Sequence, residues 1–226
     1  MPPRILDLAQ YGGLNVHPSL LPDLRGPAPI HHALLRGRPF TGISIQTLHP
    51  KHFDRGMVLA QTASPGIKVD PDMTPAELTE TLASEGANML VDVLKTKAFV
   101  PPLIDVGWYS DSDGSIDHAP KITKKQQEVN FGKDTLRDIF RVHRVIGPPY
   151  CFLPNDARLI LDEIADPGHP ILAKGEVSFG VEDSTRNILV HLNSGETLRI
   201  TKSTYEGGKA GQGNLRVIHL INDNLL

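Results

Sequence analysis

The sequence has few of the features that mark secreted, membrane-bound or strongly basic proteins. Its one cysteine, Cys151, excludes an intramolecular disulfide and suits a reducing compartment. No apolar run approaches the length of a membrane span, so we expect a soluble protein with no membrane partner. The formal net charge is only -3 over 226 residues, so any contact with nucleic acid must come from a local basic patch.

The N-terminus also lacks the features of a sorting signal. Residues 1–6 are neither Arg- and Ser-rich, as in a transit peptide, nor an apolar signal-peptide stretch, so no targeting segment is predicted in the chain as given. The composition is that of a globular protein, with 39% hydrophobic and 22% charged residues. The length suits one large or two small domains with a buried core.

The first hundred residues have the pattern of an α/β fold, because short apolar runs alternate with stretches of helical spacing. Strands are predicted at residues 14–17, 42–48 and 57–61. A short helix is expected from Ile30 to just before Gly37, where a glycine would end it. Thr74, Pro75 and Glu77 form the pattern of a capping box with proline in the first turn, which predicts the start of a longer helix.

The second half of the chain has a different pattern. Residues 101–120 are rich in Pro, Asp, Ser and Gly and lack periodicity, which predicts a linker. Beyond one helix near residues 135–144, apolar residues recur at every second position in short stretches separated by turn signals. Five such strands predict a small β-barrel. The expected domains are therefore 1–100 (α/β), 101–120 (linker) and 121–226 (barrel).

Three polar residues are expected to meet at one edge of the first domain. Asn15 and His17 lie two apart on a predicted strand and so share a face. The helix between the first two strands predicts a βαβ crossover and hence parallel strands. His17 ends the first strand and Asp54 follows the second, so both would lie at the carboxyl edge, where open α/β sheets bind ligands. There an amide and an imidazole can stabilise a developing oxyanion, and a carboxylate can orient the imidazole or accept a proton.

Simpler interpretations of the same residues stay open at this point. Asn15 and His17 also fit ordinary polar residues at a strand end, and Asp54 fits an ordinary turn. The segment 49–54 contains three ligand-type side chains, but it has no clear ligand geometry and no second cluster accompanies it. We therefore predict no metal site.

The motifs around these residues carry a family resemblance. They resemble the formyltransferase superfamily that uses 10-formyltetrahydrofolate, in the run Asn-x-His-Pro-Ser-Leu-Leu-Pro at 15–22, in Arg25-Gly26, in Thr41-Gly42 and in Asp54-x-Gly56. The stretch 25–30 is more similar to the methionyl-tRNA branch than to the purine-biosynthesis branch. Further similarity to the methionyl-tRNA branch lies at 119–122 and 129–131, and to its fungal mitochondrial members at 49–54 and 205–209.

The resemblance implies a fold and a reaction. The fold would be the C-terminal half of a Rossmann-like formyltransferase domain followed by an OB-like barrel. The reaction would transfer a formyl group from 10-formyltetrahydrofolate, without a metal, to the α-amine of initiator methionyl-tRNA in the mitochondrial matrix. Asn15 and His17 would polarise the formyl oxygen, while Asp54 would hold His17 and assist proton removal from the amine. The implied substrate-binding residues are Ser19, Leu20, Leu21, Pro22, Arg25 and Gly26.

A basic stretch at 121–144 is the candidate nucleic-acid contact. It has seven Lys and Arg residues against three acidic ones. Arg137, Arg141 and Arg144 share one helical face, and the residues that can face the barrel are Leu136, Ile139, Phe140 and His143. On charge alone, an ordinary solvated helix face explains the pattern as well as a surface that follows phosphates does. The resemblance implies tRNA binding through Lys121, Lys124, Arg137, Arg141 and Arg144.

The chain also departs from the family pattern. The family has a run of strands and helices before the Asn-x-His motif, where this chain has fourteen residues. We interpret Met1 either as a misplaced start or as the start of a shortened isoform or paralogue. Two alternative functions stay open, namely a formyltransferase acting on another amine and a non-catalytic tRNA-binding remnant. A monomer is expected.

Overall fold

The computed structural model describes residue 6 and residues 8–110, 114–171, 173–182 and 185–226. The chain forms two compact units, Met1–Ile122 and Thr123–Leu226. Residues 1–5, on which the expected lack of a targeting segment largely rests, lie outside the described residues. Residues 111–113, which are part of the predicted linker, also lie outside them. Within the described ranges, no helix is both long enough and apolar enough to cross a membrane.

The first unit has the predicted α/β character. Its elements are β1 (Leu14–His17), α1 (Pro29–Leu35), β2 (Phe40–Thr41), β3 (Ser44–Thr47), β4 (Val58–Gln61), β5 (Ile67–Lys68) and α2 (Pro75–Lys95). One sheet has the strand order β1-β3-β4, and β2 pairs separately with β5. The predicted strands and helices of this half are therefore confirmed, with boundaries that differ by one to a few residues.

The predicted parallel pairing of the first two long strands is wrong. Strands β1 and β3 are antiparallel, with Asn15 opposite Gln46 and His17 opposite Ser44. Helix α1 has only seven residues and packs against α2, so it does not act as a crossover helix over the sheet. Strand β3 therefore runs in the opposite direction to β1. The carboxyl ends of these two strands lie at opposite ends of the sheet.

Helix α2 begins with the predicted capping box. Glu77 N donates to Thr74 Oγ1 at 3.3 Å, and Thr74 N donates to Glu77 Oε2 at 2.7 Å. The hydrogen bonds from Thr74 hold the pKa of Glu77 below its ordinary value. A Cβ at Gly86 would lie 2.8 Å from Val16 Cγ1, so the glycine lets the helix lie directly on β1. The buried face of α2 consists of Leu78, Leu82, Gly86 and Val93.

We refer to the stretch 101–120, interpreted above as a linker, as the strap, and its described residues pack along the first unit. In its described part it contains no helix or strand. Trp108 Nε1 donates to Thr62 O at 2.7 Å, and Ala119 is fully buried in a cluster with Leu24. Composition predicted the lack of regular structure, but it could not reveal these long-range contacts. The strap is grouped with the first unit, together with Lys121 and Ile122.

The second unit is built around a five-stranded antiparallel sheet of order β6-β7-β10-β9-β8. Its elements are a 3₁₀ turn (Lys124–Gln127), α3 (Leu136–Ile146), β6 (Tyr150–Phe152), β7 (Arg158–Ala165), β8 (Ser178–Glu182), β9 (Asn187–His191), β10 (Thr197–Tyr205) and α4 (Gly213–Asn222). Among the described residues no ladder joins β6 to β8. The predicted OB-like barrel is therefore not confirmed, because the described part of the sheet is curled but open.

The core of the second unit lies between one face of this sheet and its two longer helices. Ile139 of α3 and Val217 of α4 are fully buried in the same cluster as the strand residues. Each fully buried aliphatic side chain contributes about 1.5–3 kcal/mol through the hydrophobic effect. The helices thus cover the face that strands would cover in a closed barrel. The fully buried strand residues are Leu159, Leu161, Ile188, Val190, Leu198 and Ile200.

Candidate active site

A pocket of about 840 Å³ opens beside the paired strands β1 and β3 of the first unit. Its walls are residues 14–18, residues 46–54 and the segment from Gly26 to Pro29. Small-molecule sites typically enclose about 300–1,000 Å³, so this pocket is large enough for an organic substrate. The three residues predicted to be catalytic, Asn15, His17 and Asp54, all line it.

Asp54 is held by hydrogen bonds on several sides. Its Oδ2 accepts from Gly26 N at 2.9 Å, and its Oδ1 accepts from Gln46 Nε2 at 3.0 Å. Its backbone oxygen accepts from Arg25 Nε at 2.8 Å. Asp54 also has a φ of 52°, in the left-handed region that few residues other than glycine adopt. The carboxylate is therefore fixed in place by a tight turn.

His17 is buried beside Asp54, with only 4% of its surface exposed. Its Nε2 lies 3.1 Å from the backbone oxygen of Leu24. A carbonyl oxygen can only accept a hydrogen bond, so this nitrogen carries a proton. Its Nδ1 lies 3.4 Å from Asp54 Oδ1. Both ring nitrogens therefore face oxygen acceptors.

Asn15 is half-buried on the pocket wall. Its Nδ2 lies 3.5 Å from Asp54 Oδ1, at the long limit for a hydrogen bond. An asparagine amide has two N–H donors. This weak contact therefore leaves Asn15 able to donate a hydrogen bond to a ligand in the pocket.

The loop after β3 brings these residues together. Residues 48–57 fold back across the end of the strand, and Thr47 N donates to Met57 O at 3.0 Å. Gly56 permits this close approach, because a Cβ there would lie 1.6 Å from the backbone oxygen of Thr47. The structure thus places Asp54 next to Asn15 and His17, as expected, but through this loop rather than through a shared carboxyl edge.

Two of the six predicted substrate-binding residues contribute to the site. Gly26 lines the pocket and donates its backbone N–H to the Asp54 carboxylate. Arg25 reaches the same residue through the backbone oxygen of Asp54. Burial is the main influence that lowers the pKa of the Arg25 guanidinium, followed by the positive charge of Arg55.

The other four lie away from the pocket wall. Ser19, Leu20 and Leu21 are buried, and the Ser19 hydroxyl donates to Asp23 O at 2.6 Å. Pro22 is half-buried and follows a cis peptide bond. The pattern that predicted substrate contacts therefore marks a packed turn in this structure. That turn leads the chain to Arg25 and Gly26.

Several pocket residues were not predicted from the sequence. The most buried is Gln46, 1% exposed, whose side chain contacts Asp54. The rim carries exposed His49, Lys51 and His52, and His49 Nδ1 accepts from the backbone N–H groups of the other two at 3.1 and 3.0 Å. Within the described ranges, no group of three or more His, Cys, Asp or Glu side chains is arranged to hold a metal ion.

The residues predicted to bind tRNA fall in both units. Lys121 belongs to the first unit and Lys124 to the 3₁₀ turn of the second. On α3, Arg137 is exposed, whereas Arg141 Nη1 lies 3.0 Å from Asp138 Oδ1. The remaining predicted residue is Arg144, which is half-buried.

The inner face of α3 agrees with its predicted amphipathic pattern. Ile139 is fully buried, and Leu136 and Phe140 pack against the same core. His143 Nε2 lies 3.1 Å from the backbone oxygen of Asp162 on β7. The predicted division of the helix into a sheet-facing side and a basic side is therefore present.

Comparison with known proteins agrees with the geometry of the first unit. Residues 1–94 match the family model described as formyl transferase. The mitochondrial methionyl-tRNA formyltransferase of Bos taurus is 41% identical over 137 residues, which cover 61% of this chain and 33% of that protein. The methionyl-tRNA formyltransferase of Thermodesulfovibrio yellowstonii is 28% identical over 223 residues, covering 94% of this chain and 68% of that protein.

A solved structure shows the same fold. The crystal structure of HypX from Aquifex aeolicus in complex with tetrahydrofolic acid matches with a TM-score of 0.53 and 15% identity, covering 84% of this chain and 31% of HypX. The present chain spans about a third of the length of the mitochondrial relatives that it matches.

An Asn-x-His strand faces an Asp-x-Gly turn across an open pocket, and both lie within the residues that match the formyl transferase model. The chain is similar to methionyl-tRNA formyltransferases, including mitochondrial ones. The predicted family resemblance is confirmed.

Proposed function

We propose that this chain transfers a formyl group from 10-formyltetrahydrofolate to the α-amine of initiator methionyl-tRNA, in mitochondrial translation initiation. The observation that carries the proposal is the cluster of Asn15, His17 and Asp54 on one wall of the pocket. The names of the relatives support the acceptor and the compartment. A folate donor is supported by the match to HypX bound to tetrahydrofolic acid.

The geometry supports a direct attack of the amine on the formyl carbon. A bond forms between the amine nitrogen and that carbon, and the formyl oxygen takes on negative charge in the tetrahedral intermediate. Asn15 donates a hydrogen bond to this oxygen. The ring of His17 adds positive charge nearby while its own N–H groups stay directed at Leu24 O and Asp54.

Proton transfer completes the reaction. An α-amine has a reference pKa of about 7.7–8.0, so at neutral pH it must lose a proton before or during attack. In the proposed mechanism Asp54, the carboxylate of the Asp54–His17 pair, takes up that proton. The same pair returns a proton to the folate nitrogen as the bond between that nitrogen and the formyl carbon breaks.

The test is a formyl-transfer assay with the purified 226-residue chain, 10-formyltetrahydrofolate and charged initiator tRNA. We expect His17→Ala to lower the rate by about 10²–10³-fold, the loss typical when one oxyanion-stabilising group is removed. His17 is buried, so Asn15→Ala serves as a second variant at a half-buried position. Asn155→Ala, which removes an exposed amide in the second unit, is the matched control. A folded Asn15→Ala variant that keeps wild-type turnover would contradict the proposed mechanism.

A second candidate function is the non-catalytic tRNA-binding module that the sequence left open, and the exposed Arg137 on the basic face of α3 is the observation that favours it. The chain would then bind tRNA without catalysing turnover by itself. The same assay separates the two candidates. No turnover by the wild-type chain, with tRNA binding retained, would favour the binding module over the enzyme.

The proposed tRNA surface is the basic face of α3, and Arg137 is its most accessible predicted residue. Each phosphate contact that is lost should reduce the slope of log K against log salt by about 1. We therefore expect Arg137→Ala to weaken tRNA binding and to flatten this slope. The measurement is a binding titration at several salt concentrations. Lys174→Ala, which removes an exposed charge outside the predicted set, should leave the slope unchanged. Equal slopes for wild type and Arg137→Ala would argue against this surface.

A further inference from the structure

Gln46 lies at the centre of β3 and is almost completely buried, with 1% of its surface exposed. A buried amide is costly unless its donors and acceptors are paired. Its Nε2 donates to Asp54 Oδ1 at 3.0 Å, and its Oε1 accepts from Gly56 N at 3.1 Å. The side chain therefore bridges the two ends of the turn that carries the pocket carboxylate.

The orientation of this amide follows from its partners. A backbone N–H can only donate, so the group that faces Gly56 must be the amide oxygen. The NH₂ group is then directed at Asp54, whose carboxylate can only accept when it is ionised. Only this orientation satisfies both contacts, and it makes Gln46 a neutral hydrogen-bond donor to the carboxylate.

Three donors surround Asp54 Oδ1, and Gln46 is the nearest. Its Nε2 is 3.0 Å away, compared with 3.4 Å for His17 Nδ1 and 3.5 Å for Asn15 Nδ2. An amide does not release a proton near neutral pH, so it can fix the position of the carboxylate without supplying a proton to it. His17 is then the neighbour that can exchange a proton with Asp54.

We propose that Gln46 is a positioning residue for formyl transfer, one that holds the Asp54 carboxylate against His17 and keeps the Asp54–Gly56 turn closed. The role of Gln46 in formyl transfer rests on the proposed function. The contact between Gln46 and Asp54 is seen in the structure and does not depend on that function. Gln46 acts through Asp54 and is not expected to touch the formyl group.

Gln46→Glu tests the role, because the introduced carboxyl changes its behaviour with pH. When protonated, it can donate to Asp54 and accept from Gly56 as the amide does. When ionised, it repels Asp54. A glutamate has a reference pKa of about 4.3, which burial and the charge of Asp54 would raise, whereas Arg25, and His17 when it is protonated, oppose that rise.

We expect kcat of Gln46→Glu, relative to wild type, to fall at least about tenfold between roughly pH 5.5 and 8. KM for the folate should change little, because Gln46 is buried. Gln46→Leu should be slow at every pH, with no relative pH dependence. Gln10→Glu, which makes the same change at an exposed position of the first unit, is the control. Parallel pH profiles for Gln46→Glu and wild type would overturn the positioning role.

Thermal stability provides a second test that does not depend on enzymatic activity. The melting temperature of the full-length Gln46→Glu variant should fall relative to wild type as pH rises from about 5 to 8, because a carboxyl with a raised folded pKa loses its stabilising protonated form in that direction. A pH-independent difference would overturn the Gln46–Asp54 contact. If the wild-type chain has no turnover, the proposed function fails. The melting-temperature measurement would still decide whether Gln46 holds Asp54.

Discussion

Asp54→Asn should lower kcat/KM for formyl transfer by about 10²–10⁴-fold, the range typical for loss of a group that transfers protons. The two carboxylate oxygens accept from Gly26 N on one side and from Gln46 Nε2 on the other. An asparagine has one acceptor oxygen, so its NH₂ group must face one of these donors. The variant also loses the negative charge beside His17. Steady-state kinetics across a range of folate and tRNA concentrations would measure the loss.

Asp117→Asn is the matched control for this variant. Asp117 is also an ion-paired carboxylate of the first unit, since its Oδ2 lies 2.7 Å from Arg38 Nη2, but it does not line the pocket. We expect its kcat/KM to stay close to that of the wild type. If Asp54→Asn retained activity within about threefold of the control, a proton-transfer role for Asp54 would be untenable.

Gly56→Ala should impair both folding and activity. The added Cβ would lie 1.6 Å from the backbone oxygen of Thr47, so the turn or the strand must move. Overpacking of this kind typically lowers the free energy of unfolding by about 1–3 kcal/mol. Because the same turn carries Asp54, a shift of about 1 Å would also lower the rate by about 10²-fold. Chemical denaturation and the formyl-transfer assay would measure the two effects separately.

Gly180→Ala provides the comparison for the glycine substitution. A Cβ at Gly180, on β8 of the second unit, would meet no heavy atom within 4 Å. Its unfolding free energy and turnover should therefore stay near those of the wild type. Wild-type stability and turnover in Gly56→Ala would show that the turn is not packed against Thr47 as described.

The sequence predicted the local elements of the first unit well, because those elements depend on nearby residues. Thr74 and Glu77 are three residues apart, and their capping box forms within one turn of helix. The direction of β3 could not be predicted in the same way. It depends on where α1 packs, and that contact with α2 joins residues far apart in the chain. The βαβ pattern was compatible with both directions.

The second unit shows the same limit. Alternation at Ile188, Val190, Leu198 and Ile200 correctly predicted strands with one buried face. A strand in a closed barrel and a strand in an open sheet covered by helices have the same alternation. Whether the first and last strands pair is decided by sheet curvature and by the helices α3 and α4. Sequence periodicity does not report either of these.

The candidate site was predicted in part. Asn15, His17 and Asp54 belong to short motifs, and the structure brings them together at one pocket. Gln46 was missed because it is a single polar residue within an otherwise buried strand, where no spacing rule singles it out. Ser19 and Leu20 belong to a specific motif but are buried, because a motif can be required for packing as well as for binding.

The packing of the strap decides where the chain can be cut to obtain an expression fragment. His32 Nε2 lies 2.9 Å from the backbone oxygen of Pro120, and burial lowers the pKa of this histidine. Ala119 fills a cluster with Leu24 and Ala33. A fragment ending at residue 100 would expose these groups to solvent and would be open to proteases. A fragment ending after Ile122 would keep the contacts of Pro120 and Ala119 with the first unit, so the groups that they cover would stay buried.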